Sequence, residues 1–262
     1  MKAKLLPGLE IIKSSLIFWV QVTFANTRFP YLWMVAQPVA IFGILSIMAL
    51  GVQFPGRSTS SYTAVLAAYI FCVADESLKR SVRSLFLGPK IKHAWSENSK
   101  VLTFSASTSP YVEYSPLLIL ALAIIRVSQP TQPFPFLEFF GGVFFLVILT
   151  LSWAIPLAYI GRNYRDVKFL LPFYSRLTLL VSPLIFPYDW NFPFLNLTQA
   201  LNPLSFVAFY IRGFSSNEYT LAQIVFIVWL IFSVSMSVKL RNSKSTRFNH
   251  EIGDDSSLNP LN

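Results

Sequence analysis

Apolar runs of nearly membrane-spanning length recur along almost the whole sequence. A bilayer core about 30 Å thick is crossed by about 20 helical residues. The predicted spans are 31–50, 62–87, 110–127, 139–160, 169–186 and 219–240. Stretches such as 143–149 are continuously apolar and do not alternate with polar residues, which favours helices over the strands of a β-barrel. The sequence therefore predicts an all-α integral membrane protein with about six transmembrane helices.

The charge distribution predicts the orientation of these spans. Only 13% of the 262 residues are charged, against roughly 25% in soluble globular domains. The formal net charge is +9, and most basic residues fall in four clusters, within 2–28, 79–100, 162–168 and 239–247. With six spans all four clusters lie on one side, so the positive-inside rule places both termini in the cytoplasm. The positive charge is thus explained by topology, and no nucleic-acid partner is expected.

Segments outside the spans have patterns of their own. Residues 5–28 mix apolar with charged and amide residues, which is typical of an amphipathic helix at the membrane interface. Residues 187–215 are apolar and aromatic but broken by prolines, which predicts re-entrant helices on the outer side of the membrane. Residues 242–262 are polar and predict a disordered cytoplasmic tail. Residues 1–241 are accordingly expected to form a single transmembrane domain.

The stretch between the second and third spans is the most polar part of this domain. Residues 84–109 are rich in Ser and Lys and contain Gly88-Pro89, a turn signal. We expect a cytoplasmic loop here that holds one short helix. The second span is predicted from a shorter apolar run, since it must continue past Asp75 and Glu76 to reach full length.

Four motifs stand in order along the chain. Residues 29–38 read Phe-Pro-Tyr-Leu-Trp-Met-Val-Ala-Gln-Pro, and residues 162–173 read Arg-Asn-Tyr-Arg-Asp-Val-Lys-Phe-Leu-Leu-Pro-Phe. Residues 182–187 read Ser-Pro-Leu-Ile-Phe-Pro, and residues 201–204 read Leu-Asn-Pro-Leu, followed by Arg212. These motifs resemble "G-x-L-W-x-x-x-Q-P", "R-Y-R-D-V-x-x-L-L-P-F", "T-P-V-x-Y-P" and "L-N-P-L … R" in permease subunits of bacterial ABC-type exporters of O-antigen, capsule and teichoic acid, the type-2 ABC exporter family.

The resemblance implies a function and a set of partners. The chain is expected to be the membrane-spanning subunit of an ATP-driven exporter of polysaccharide or lipid-linked glycan in the bacterial cytoplasmic membrane. It has no Gly-x-x-x-x-Gly-Lys-Ser/Thr phosphate-binding loop, so ATP and Mg²⁺ are expected on a separate ATPase subunit. We therefore expect no catalytic residue, metal or cofactor in this chain. Two copies would pair around one conduit in membrane lipid, with the ATPases docked on segments 5–28 and 86–104.

One stretch departs from the family pattern. In relatives the cytoplasmic loop that docks the ATPase carries "F-P-x-x-x-L-P", whereas residues 100–116 here read Lys-Val-Leu-Thr-Phe-Ser-Ala-Ser-Thr-Ser-Pro-Tyr-Val-Glu-Tyr-Ser-Pro. The sequence consequently leaves the residues that contact the ATPase unassigned.

Candidate functional residues follow from the resemblance and from side-chain chemistry. The turn between spans four and five is expected to be the cytoplasmic gate, formed by Arg162, Tyr164, Arg165 and Asp166. The outer gate is expected at Pro183, Pro187, Asn202, Pro203 and Arg212. Sugar rings slide on aromatic faces, so candidate conduit residues are Trp33, Tyr111, Tyr114, Trp153, Tyr159 and Tyr174. Gln37 of the first motif is a further conduit candidate. Interface belts and lipid-facing packing are the alternative explanation for the aromatic residues.

Charged residues within the spans need partners. Asp75 and Glu76 each precede a basic residue by four positions, so pairing along one helix explains them. Glu113 and Arg176 have no partner nearby in the sequence. Because a charge at membrane depth is costly, each is expected either to bind substrate or to form an ion pair between helices.

Two other classes of membrane protein remain alternatives. A glycosyl- or acyltransferase needs acids or a histidine beside a pocket at membrane depth, yet His93 and His250 fall in the predicted loop and tail. An ion-driven secondary transporter is typically built from inverted repeats with broken helices near the midplane, and the sequence has no evident repeat. The exporter subunit is the favoured interpretation.

Overall fold

A computed structural model describes residues 13, 16–19, 29–51, 61–84, 99–164, 166–180, 193–212 and 217–255. Its labelled helices are α1 (Pro30–Gly51), α2 (Ser61–Arg83), α3 (Ser99–Ser128), α4 (Phe136–Asn163), α5 (Val167–Leu180), α6 (Pro193–Leu201), α7 (Pro203–Arg212) and α8 (Asn217–Asp255). The described residues form helices and short connections without any strand. The all-α prediction is confirmed.

Three helical segments in the described ranges are long and apolar enough to cross a bilayer. They are Val101–Ser128, Phe136–Gly161 and Thr220–Lys239, and a shorter apolar segment covers Val35–Ile47. The second half of α2 carries several charged residues, which lowers its hydropathy below that of the others. The molecule thus has the composition of a helical membrane protein, while the count of six spans stays a prediction.

Helix α2 forms the centre of the bundle. It packs against α1, α3, α4, α5 and α7. Leu66, Ile70 and Val73 are completely buried, and the main apolar core is built around them. In the sequence the apolar run of α2 is short because it ends at Asp75 and Glu76. These two acids are half-buried and Arg80 is buried, so neighbouring helices surround them.

Contacts at the two ends of α2 set the directions of its neighbours. At its first residue, the Ser61 hydroxyl donates to Gln129 Oε1 at 3.0 Å. At its last turn, Ser84 Oγ lies 3.3 Å from Thr103 Oγ1, so α3 runs antiparallel to α2. Helix α4 runs parallel to α2, because Gly161 near the end of α4 packs against Val82.

Basic residues concentrate at the end of the bundle that contains Ser84, which we call the basic end. Basic residues whose backbone lies at this end include Lys79, Arg80, Arg83, Lys100, Arg162, Lys168 and Lys239. Arg126, near the close of α3, and Arg212, at the end of α7, lie at the opposite end. The predicted topology depends on this unequal distribution of basic residues between the two ends of the bundle.

The polar stretch before the third predicted span is helical and not a loop from residue 99 onward, so that part of the loop prediction is wrong. Helix α3 begins at Ser99 and runs without interruption through Pro110. The hydroxyl of Ser105 donates to the Leu102 carbonyl at 2.9 Å, and that of Ser109 donates to the Ala106 carbonyl at 3.1 Å. These small side chains satisfy their own polar groups within the helix and let α2 approach closely. The polarity of the sequence alone does not predict that such serines lie in a buried helix.

The final helix is also longer than predicted. Helix α8 continues to Asp255, whereas the sequence predicts a disordered tail from residue 242. No proline interrupts residues 217–255. Once the apolar part of the helix has formed, each added residue propagates an existing helix and avoids the costly nucleation step.

Candidate functional site

A buried ion pair joins α2 to α3. Arg80 is only 3% exposed. It forms a hydrogen-bonded ion pair with Glu113, donates from Nη1 to Ser109 Oγ at 2.8 Å, and places Nε 3.7 Å from Glu76 Oε2. The neighbouring acid, Asp75, pairs with the ammonium group of Lys79, one turn further along α2. The prediction that Asp75 and Glu76 pair along one helix is confirmed.

The ion pair identifies the partner of Glu113, which has none nearby in the sequence. Its partner comes from another helix, so the ion pair holds two helices together and occupies the carboxylate that a substrate would need. The side chain of Arg176, the other unpaired charge in the sequence, lies outside the described residues.

Hydroxyl groups extend the polar contacts from α2 across α3 to α4. Ser77 Oγ donates to the Ser107 carbonyl at 2.7 Å, and Ser107 Oγ donates to the Thr150 carbonyl at 3.3 Å. The Tyr111 hydroxyl and Thr150 Oγ1 are 2.9 Å apart. Small hydroxyl side chains of this kind hydrogen-bond between helices in membrane proteins. We interpret the cluster as a structural seam among α2, α3 and α4.

A cavity lies beside this seam, between α2, α4, α5, α8 and the α6–α7 turn. Its volume is about 280 Å³. Apart from Thr150, Tyr174 and Asn202, the lining side chains are aliphatic, aromatic or proline. Trp153, Trp229 and Phe232 form one wall, with the two indole rings 5.0 Å apart. The cavity is therefore apolar on nearly every side.

The turn that closes the cavity follows from its sequence. Helix α6 ends at Leu201 and α7 begins at Pro203. The Asn202 side chain caps α7, because its Oδ1 accepts a hydrogen bond from the Leu204 backbone N–H at 3.0 Å. Asparagine is a favoured N-cap residue, and proline suits the first helical position since its missing N–H would be unpaired there. The Leu-Asn-Pro-Leu motif thus encodes a sharp reversal of the chain.

This reversal reaches the middle of the bundle. A Cβ atom on Gly141, early in α4, would overlap the Tyr210 ring near the end of α7. At its beginning, α7 faces the cavity with Pro203, alongside Thr150 of α4. At 1.5 Å per residue, Thr150 lies roughly 21 Å along α4 from its first residue, Phe136. The tip of the α6–α7 hairpin therefore lies at about half the length of α4.

The predicted conduit residues do not share one surface. Trp33 and Gln37 lie on the exposed exterior of α1, whereas Tyr114 is buried in the core and Tyr111 is part of the hydroxyl cluster. Tyr159 is half-buried on α4. Only two of the set line the cavity together: Trp153 and Tyr174.

The predicted gate residues are described in part. Tyr164 and Asp166 are exposed in the short connection between α4 and α5, and Arg162 lies in the last turn of α4. Asn202 and Pro203 line the cavity, and Arg212 ends α7. Arg165, Pro183 and Pro187 lie outside the described residues, as do the side chains of Arg162 and Arg212.

The N-terminal segment docks at the basic end. Residues 16–19 are helical, and Trp19 is buried against Leu102 and Ala106 of α3. The Trp19 indole donates to the Leu102 carbonyl at 3.1 Å. The remainder of the predicted interfacial helix 5–28, apart from Lys13, lies outside the described residues.

Sequence reasoning missed several residues of this region. Arg80 counts among the basic residues of a cytoplasmic cluster in the sequence, yet it is buried, and its partner Glu113 is 33 residues away. Trp229 and Phe232 lie in the last predicted span and are not among the candidate residues. Their spacing of three places them on one helix face, but only the packing of α8 against α4 shows that this face borders a cavity.

The bundle and its cavity have the features of a helical membrane protein. No protein-family model matches the chain, and no curated protein matches it significantly.

Proposed function

We infer that this chain is the membrane-spanning subunit of an ATP-driven exporter of polysaccharide or lipid-linked glycan. Six spans with both termini in the cytoplasm, a pair of re-entrant helices on the outer side and a homodimer around one conduit belong to this proposal. The ATPase is a separate subunit that binds ATP and Mg²⁺, and the location is the bacterial cytoplasmic membrane.

The α6–α7 hairpin is the observation that carries the proposal. The two helices contain 9 and 10 residues, so at 1.5 Å per residue each covers about half of a 30 Å bilayer core. Their turn lies at the middle of the bundle beside a cavity. Broken helices at membrane depth are tolerated where protein or a cavity surrounds them, and the exporter proposal expects such a pair of re-entrant helices within residues 187–215.

The positions of the resembling motifs support the same function. The first motif opens α1, the second covers the α4–α5 connection at the basic end, and the fourth forms the turn at Asn202. Each of these motifs thus coincides with a helix boundary, where it has a structural task. The buried Glu113 is held by Arg80, which disfavours a catalytic role for this acid and with it the transferase alternative.

Copurification tests the proposal directly. The tagged full-length chain, extracted from the membranes of its host in mild detergent, should bring down an ATPase subunit with a phosphate-binding loop, identified by mass spectrometry. Deleting residues 1–28 should weaken this association, because the segment docks against the cytoplasmic end of α3. A truncation after residue 255 is the matched control and should retain the ATPase.

Two results would contradict the proposal. One is a chain that never associates with an ATPase, whether full-length or truncated. The other is a purified chain, free of any ATPase, that transports or chemically modifies a lipid-linked glycan in vesicles.

A further inference from the structure

Two of the polar side chains around the cavity, those of Thr150 and Asn202, already have hydrogen-bond partners within the protein. Thr150 Oγ1 donates to the Leu146 carbonyl at 3.0 Å and is 2.9 Å from the Tyr111 hydroxyl. Asn202 Oδ1 accepts the bond that caps α7. A sugar in this cavity would exchange water for apolar walls, and each hydroxyl left without a partner would cost about 1–3 kcal/mol. An apolar occupant incurs no such cost.

The exposed side chains of the cavity lining lie on α5 and α8. Helix α5 contributes Tyr174 and α8 contributes Phe232, and these side chains are 50% and 56% exposed. Among the described residues, α5 and α8 do not pack closely against each other. We infer from these exposures that the mouth of the cavity faces the exterior of the bundle between the two helices.

The surroundings of the mouth are those of a lipid-facing surface. Phe169 and Phe173 of α5 and Ile231 of α8, on the two helices that flank the mouth, are exposed apolar side chains. The wall residue Trp153 belongs to the middle part of α4, one of the helices long and apolar enough to cross a bilayer. At that depth the material outside the mouth is hydrocarbon.

We propose that this cavity binds one hydrocarbon chain of a membrane lipid, which enters sideways between α5 and α8. The inference rests on the membrane location contained in the proposed function. It assigns Trp153 and Tyr174 to an alkyl or isoprenoid chain and removes them from the predicted path of the sugars. The chain has two sources of the same chemistry: a bilayer phospholipid, or the lipid carrier of the exported glycan.

Tryptophan quenching tests the proposal, because Trp153 and Trp229 form the cavity wall. The full-length chain is reconstituted in vesicles of phosphatidylcholine whose acyl chains carry bromine at mid-chain, which quenches indole fluorescence on contact. Ala74→Phe places a ring in the cavity, since Ala74 is a buried lining residue. Val228→Phe adds the same ring at an exposed position of α8 that does not line the cavity.

The expected result is a loss of quenching in A74F and wild-type quenching in V228F. The other four tryptophans are common to all three proteins, so the difference reports the cavity. Leu171→Phe, at another lining position, repeats the test if A74F does not fold. Unchanged quenching in a folded A74F or L171F protein overturns the lipid-chain proposal. The exporter function is tested separately by ATPase copurification, so it does not fail with the lipid-chain proposal.

A competition series then identifies the source of the chain. A polyprenyl phosphate or an unbrominated phosphatidylcholine is added to vesicles that contain the V228F protein. Relief of quenching by the polyprenyl phosphate at a much lower mole fraction supports the cavity as a site for the carrier's chain. Equal relief by both lipids supports a hydrocarbon site that is occupied by bilayer lipid. Relief by neither contradicts chain binding.

Discussion

Replacing Glu113 with Gln removes the carboxylate charge that faces Arg80 and keeps the shape of the side chain. Both side chains are at least 95% buried, with exposures of 4% and 5%. Removing one partner of a buried ion pair typically costs about 3–5 kcal/mol, because the other charge is left without compensation. Arg80 would keep its bond to Ser109 and the Glu76 carboxylate at 3.7 Å. We therefore expect a loss near the lower limit, about 3 kcal/mol.

A double-mutant cycle measures this pair. E113Q, R80M and the double variant are compared by equilibrium unfolding in mixed micelles with increasing denaturing detergent. Because the double variant leaves no unpaired charge at this position, its loss should be smaller than the sum of the single losses by about 2 kcal/mol. Asp75→Asn is the control. It removes a pair within one helix but leaves the Glu76 carboxylate 3.5 Å from Lys79 Nζ, so it should cost less than E113Q.

Two outcomes would refute this reasoning. A loss for E113Q within about 0.5 kcal/mol of zero, the range of ordinary surface substitutions, would mean that the carboxylate is not held in a buried pair. A coupling energy near zero would mean that Arg80 and Glu113 do not interact, whatever the single variants lose.

Three further predictions concern helix packing and the ends of helices. Gly161→Ala should destabilise the protein by about 1–3 kcal/mol in the same unfolding assay, because a Cβ atom there overlaps the Val82 backbone. Gly43→Ala is the control, and with open space around it it should be neutral or stabilising by up to about 1 kcal/mol. Equal effects of the two substitutions would contradict the close packing of Gly161 against Val82. Asn202→Ala should cost about 1 kcal/mol through loss of the α7 cap, whereas Asn202→Ser, an uncharged N-cap residue, should restore most of it. An unaltered stability of N202A would argue against the cap. Trp19→Phe keeps an aromatic ring but loses the hydrogen bond to α3, so it should cost about 1 kcal/mol and speed proteolysis of the N-terminal segment, and unchanged proteolysis would show that this segment is held by other contacts.

Local features of the sequence account for much of the helical framework. The apolar runs at 139–160 and 219–240 lie within α4 and α8, and the prolines after residue 128 coincide with the break between α3 and α4. The reversal at Asn202 also follows from the sequence, because capping depends on side chains one or two residues away. All of these signals act within a few residues.

The polarity of a residue gives less information about its surroundings. Ser105 and Ser109 look like loop residues, yet they are buried in α3. Arg80 looks like a cytoplasmic anchor, yet it is the cation of a buried pair. A polar side chain is compatible with burial once a neighbouring helix supplies its partner, and the sequence does not state which helices are neighbours.

The class of structure, the approximate positions of most helices and the concentration of basic residues toward one end of the bundle follow from the amino-acid sequence. The central place of α2, the pairing of Glu113 with Arg80, and the cavity that Trp153 and Tyr174 line with Trp229 depend on how the helices pack. The two groups of features differ in the range of the interactions that produce them. Helix formation and membrane affinity arise within one segment of about 20 residues, whereas an ion pair or a cavity between helices depends on how closely separate segments pack.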